Sequence, residues 1–170
     1  MSSPQLAAKR PVSAVLAGPY GHPFHPILVT VPIGAWVCGL VFDIASRVVD
    51  DPGFLTKGSA WLLAIGVIGA VLAAMVGLLD LFAIPSGTRA FRVGLTHMGL
   101  NLLVTAAYAA NFFWRLADYD QPGSVAVGQV VLSALSLAVL AGSGYLGGKL
   151  AYHYGVRVAD EATQAEGYQN

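Results

Sequence analysis

The chain has 170 residues, of which 56% are hydrophobic and only 11% charged, where an ordinary soluble domain has roughly 25% charged. Formal net charge is zero, which leaves a nucleic-acid partner without electrostatic support. The single cysteine, Cys38, excludes a disulfide framework, and the composition as a whole predicts a membrane protein.

In chain order, Lys9 and Arg10 are followed by a short mixed stretch and then by "GPYGHPFHPILVTVPIGAW", Gly18 to Trp36. No compact apolar segment ending in a small-residue cleavage site precedes it, so the first helix is expected to stay rather than leave as a signal peptide. The stretch puts His22 and His25 among prolines just ahead of a first span over 26–46. That span contains Pro32, which membrane helices tolerate when neighbours satisfy the freed carbonyl. It also contains Asp43, four residues before Arg47, the spacing of a helical ion pair.

Three cleaner spans follow. Lys57 and Asp80 bracket 22 residues without a charge, Arg92 and Arg115 another 22, and Asp120 and Lys149 bracket 28. Runs of this length cross a hydrocarbon core of about 30 Å, giving spans over 59–81, 93–115 and 124–149. With short connections the expectation is an all-α, integral membrane four-helix up-down bundle filling the chain as one domain.

Small and polar residues mark the faces by which membrane helices pack. The first span offers Thr30, Gly34 and Cys38, and the second Gly66, Ala70, Ala73 and Gly77, ending in Asp80. The third presents His97, Asn101, Thr105 and Tyr108 at spacings of four, four and three, and the fourth Ser133, Ser136 and "GSGYLGG". Asp80 is expected to pair with Arg89 or Arg92 across "LFAIPSGTR". Trp61 and Trp114 suit an aromatic belt.

Six of the nine Lys and Arg residues (Lys9, Arg10, Arg89, Arg92, Lys149, Arg157) fall on the side that holds both termini, against Arg47, Lys57 and Arg115 on the other. The positive-inside rule therefore puts both termini in the cytoplasm. All four histidines then lie toward that face: His22 and His25 before the first span, His153 after the fourth, and His97 about 7.5 Å into the third, counted from Arg92 at 1.5 Å per residue.

An ionisable group inside a membrane segment is by default a functional-site hypothesis. Spans one and three are diagonal in an up-down bundle, so His25, with His22 as substitute, can oppose His97. Two opposed imidazoles are what one b-type haem needs, with Asp80 and Asn101 as supporting groups. Electron transfer with a membrane or cytoplasmic redox partner is the activity expected. The alternative is a cofactor-free structural or accessory protein, with His97 bonded to Asn101 or a facing carbonyl. A third reading is a metal site built from His22, His25, His97 and Asp80, although zinc wants three or four ligands and no HxxxH or HExxH pattern occurs. No nucleophile constellation, phosphate loop or paired intramembrane carboxylates are visible, so an enzyme acting on its own is not expected. The lipid bilayer is the certain partner, and the small-residue faces equally suit a homo-oligomer.

The ordered set "HPFHPILVTVPIGAW", "GLLDLFAIPSGTRAF", "THMGLN" and "GGKLAYHYG" resembles a bacterial family of membrane proteins, domain of unknown function 2231 (DUF2231). The resemblance implies a multi-pass protein of the bacterial cytoplasmic membrane. The pattern is also similar, more distantly, to the four-helix cytochrome b superfamily, which holds two haems. With no histidine in its outer half, this chain would hold at most one.

Overall fold

The apolar runs become helices long enough for a bilayer. α1 (Pro4–Lys9) precedes α2 (Phe24–Leu28) and α3 (Thr30–Ala45), which together make the first span. α4 (Gly53–Phe82), α5 (Arg89–Leu116) and α6 (Val127–Gly148) make the others, and α7 (Glu161–Glu166) closes the order. A π-helical turn, Lys149–His153, extends α6. The computed structural model describes residues 4–12, 18, 21–120 and 123–168; Pro19, one of the prolines ahead of the first span, lies outside them. Four helices within these residues are long and apolar enough to cross a membrane: Phe24–Ala45, Gly53–Phe82, Arg89–Leu116 and Val127–His153.

α3 packs on α4, α4 on α5, α5 on α6, and α6 returns to α3, the neighbour pattern of an up-down bundle. α3 and α5 are therefore diagonal. We call the end with both termini proximal and the other distal. α4 begins at Gly53 rather than at 59 because Lys57 does not end the helix: its ammonium lies over the Tyr119 ring, 5.3 Å from the centroid, while its stem runs along the surface. The first span is interrupted at Val29, since Pro32 has no N–H to offer the carbonyl of Leu28.

The inward face of the first span differs from the expected one. Pro32, Ala35, Trp36, Gly39 and Asp43 are buried, whereas Thr30, Gly34 and Cys38 are exposed. Residue size misled here. Trp36 and Asp43 carry polar groups that lipid cannot satisfy, and lying seven residues apart they share one face. They set the rotation of the helix, and the small residues follow it outward.

Trp36 anchors the centre. Its ring stacks on Tyr108 with centroids 4.1 Å apart and planes 9° from parallel, packed with Leu63 and Val104. The indole N–H donates to the Leu63 carbonyl at 3.4 Å. Gly66 makes the approach possible, because a methyl group there would lie 2.1 Å from the indole nitrogen. Outward, Ile33, Val37, Val41, Ile68, Met75, Leu103 and Leu135 stay exposed, the faces that meet lipid.

At the proximal end the two termini are clasped. Ala8 of α1 is buried with Leu81, Ile84 and Val156, and its carbonyl accepts the Arg157 N–H at 3.0 Å. Lys9 donates to the Ala159 carbonyl at 3.3 Å and lies 3.5 Å from Glu161. Arg157 holds a φ of 58°, uncommon for a residue with a Cβ.

Candidate functional site

Two polar clusters interrupt the apolar interior, one near each end. At the proximal end α2 and α5 bring His25 and His97 together, with ring centroids 6.3 Å apart and planes 81° from parallel. Nδ1 of His25 lies 2.9 Å from the Ala73 carbonyl, and Nδ1 of His97 lies 2.8 Å from the Ser143 carbonyl. A carbonyl only accepts, so both Nδ1 atoms carry a proton, and in the neutral tautomer that this fixes Nε2 is the lone-pair nitrogen.

Glycines on the flanking helices seat both rings. A methyl group at Gly77 would lie 2.9 Å from the His25 ring, and one at Gly147 3.0 Å from that of His97. This is the work done by part of the small-residue stripe on α4 and by the "GSGYLGG" segment of α6. Asn101 sits one turn from His97 and gives its two amide protons to the His97 carbonyl and Ser143 Oγ, at 2.9 Å each. The same nitrogen passes 3.2 Å from His97 Nε2 with its protons already engaged. His25 Nε2 has no hydrogen-bond partner among the described residues.

Asp80 corrects one expectation. It pairs with Arg157, Oδ1 to Nε at 2.8 Å, and not with Arg89 or Arg92. Those two stand at the start of the next span, while the clasp folds the C-terminal segment beneath the bundle and brings Arg157 to Asp80. Among the described residues no three His, Cys, Asp or Glu side chains gather into a set that could hold a metal ion, so His22, His25, His97 and Asp80 do not assemble into a four-ligand zinc site here. His153 lies at the end of the π-helical turn, with its ring against Tyr154.

The distal cluster corrects the second ion-pair expectation. Asp43 is fully buried and forms a two-pronged pair with Arg115, at 2.7 and 2.8 Å. Arg47 instead donates to the Val125 carbonyl at 2.7 Å. The bundle explains the choice: Asp43 faces the interior, where the arginine of the diagonal helix can reach both of its oxygens, while Arg47 lies one turn further out. Ser59 Oγ donates to Asp43 and accepts from Arg115 at 2.7 Å. Ser133 Oγ reaches the other carboxylate oxygen at 3.3 Å. Arg115 Nε donates to Asn111 Oδ1 at 3.2 Å, and Asn111 donates to the Gln129 carbonyl and to Ser133, both at 3.0 Å. All four spans contribute. A signal was present in the sequence, since the polar stripe from His97 to Tyr108 continues at spacings of three and four to Asn111 and Arg115.

No curated protein and no solved structure matches the chain. Its residues 21–160 do match one family, described as predicted membrane protein (DUF2231). That stretch contains all four spans and both polar clusters, so the chain is a multi-pass membrane protein that belongs to the DUF2231 family.

Proposed function

We propose that the proximal histidine pair is a ligand site, and that the chain is a membrane electron carrier holding one b-type haem between His25 and His97. The observation that carries this reading is the pairing itself: two imidazoles from diagonal helices, each donating its Nδ1–H to a backbone carbonyl. Ligating histidines commonly donate their other ring N–H to such an acceptor, which sets tautomer and orientation. The two rings stand 6.3 Å apart, so one bound group would be within reach of both imidazoles.

Bound there, haem would supply one-electron chemistry at a potential tuned by His25, His97 and the groups around them. The protein's part is orientation. Gly77 and Gly147 seat the two rings, and Asn101 with Ser143 holds the backbone and ring of His97. Asp80 supplies negative charge near His25, and His22, three residues earlier, is the substitute ligand. The charge count supports a cytoplasmic position for this end, and with a histidine-free distal half a membrane or cytoplasmic redox partner would complete any path across the bilayer. Purified protein from cells with ample haem should show a haem absorption spectrum that is lost in His97→Ala and in His25→Ala. Colourless wild-type protein overturns the reading.

One observation favours a second reading. His97, Asn101 and Ser143 already satisfy one another between α5 and α6, as a cofactor-free polar cluster of an accessory membrane protein would. In that case His97→Ala lowers thermal stability in detergent without a spectral change.

A further inference from the structure

Beside the distal network lies a cavity of about 220 Å³, lined by Lys57 of α4, Arg115, Asp118 and Tyr119 at the end of α5, and Gln129 of α6. Arg115 offers it nothing, because all its N–H groups are engaged by Asp43, Ser59, Asn111 and Ser133. Three other donors are free. Gln129 is only 6% exposed; its carbonyl oxygen takes the Ala126 N–H at 3.3 Å, and its amide nitrogen has no partner among the described residues. The Lys57 ammonium rests over the Tyr119 ring and forms no ion pair among those residues. Tyr119 accepts from the Trp61 indole at 3.0 Å, which leaves its own proton to give.

An ammonium, an amide and a phenol suit an oxyanion. Asp118 lines the same cavity and suits a cation. The surroundings decide between a bare anion and a ligand with both charges: the distal end carries Asp43, Asp50, Asp51, Asp118 and Asp120 against Arg47, Lys57 and Arg115, an excess of carboxylates that repels a net anion. Depth points to the source. Trp61, Trp114 and Phe54 are exposed at this end, the aromatic signature of headgroup level. We propose that this cavity binds the headgroup of a zwitterionic phospholipid bearing a primary ammonium, its phosphate on Lys57, Tyr119 and Gln129 and its ammonium on Asp118. The proposal does not depend on a haem at the other end.

Native mass spectrometry of the protein from nanodiscs of equal phosphatidylethanolamine, phosphatidylcholine and phosphatidylglycerol tests it. Phosphatidylethanolamine should be retained about tenfold over either competitor, a difference of about 1.4 kcal/mol. Lys57→Met should lower retention of all three lipids, and Asp118→Asn should remove only the preference for ethanolamine over choline. Both residues lie outside the buried network, so both variants should keep the wild-type melting temperature. Equal retention of the three lipids overturns the proposal, as does a preference for ethanolamine over choline that survives Asp118→Asn. Soluble glycerophosphoethanolamine, added to protein in detergent, separates the sources. A melting-temperature rise that Asp118→Asn abolishes assigns the same chemistry to a free solute, and no rise alongside selective lipid retention assigns it to the bilayer.

Discussion

The two ends of the bundle treat buried polar groups differently. At the distal end every N–H of Arg115 and both oxygens of Asp43 have partners, and the network closes through Ser59, Asn111 and Ser133. At the proximal end His25 and His97 each use Nδ1 on a carbonyl; His97 Nε2 has the Asn101 amide nitrogen 3.2 Å away, and His25 Nε2 has no hydrogen-bond partner among the described residues. A saturated network has no valence left for a ligand and serves to register four helices. A half-used pair has valence to offer. The two clusters differ in burial, the distal one enclosed and the proximal histidines half-buried, and in the number of donors and acceptors they leave unused.

The largest test of that contrast is at the distal end. Asp43→Ala leaves a buried guanidinium without its counter-ion and should cost about 3–5 kcal/mol, read as a large fall in melting temperature in detergent. The double variant Asp43→Leu with Arg115→Met should recover most of the loss, because replacing a buried pair by apolar groups of similar size is often neutral. A double variant as damaged as the single would mean that the pair does more than hold helices together. His25→Leu with His97→Leu is the matching proximal experiment: it should leave stability near wild type while removing any haem spectrum.

Next in size is the core between the two ends. Gly66→Ala puts a methyl group 2.1 Å from the Trp36 indole nitrogen and forces apart the Trp36–Tyr108 stack. Overpacking of this kind costs about 1–3 kcal/mol. Gly147→Ala meets His97 at 3.0 Å, a milder contact, and should cost less stability while moving the ring. If the proximal end is the ligand site, Gly147→Ala changes the spectrum or midpoint potential of the protein and Gly66→Ala changes only its melting temperature. The opposite pattern would reverse the assignment of the two ends.

The bundle and the pairing of His25 with His97 were legible in the sequence because both rest on simple periodicities: charge-free runs of helix length, short loops, and a polar stripe at spacings of four and three. The partners of Asp43 and Asp80 were not. Local spacing offered Arg47 to Asp43 and Arg89 or Arg92 to Asp80, whereas the folded chain uses Arg115 and Arg157, both more than seventy residues away. An exposed helix favours the neighbour at four residues, but an inward-facing carboxylate is served by whichever cation the fold carries inside. Asp43 and Trp36 together indicated that inward face, and stopping the polar stripe at Tyr108 hid the cation that answers it.

The smallest expected effect lies in the clasp. Arg157 holds a left-handed backbone, which costs a residue with a Cβ about 1–2 kcal/mol, and gives its guanidinium to Asp80, whose side chain is 15% exposed. Arg157→Ala keeps the strained backbone and loses the ion pair, whereas Arg157→Gly loses the pair and relieves the strain. The glycine variant should therefore stay within about 1 kcal/mol of wild type, with alanine below it. Hydrogen exchange at the amide of residue 157, which donates to Ala8, reads the clasp directly: protection should fall more in alanine than in glycine. Equal loss in both would mean that the ion pair, and not the backbone strain, decides the protection of this amide. A small effect on melting temperature in either variant, beside the large one from Asp43→Ala, would fit an end of the bundle that is built to be less saturated.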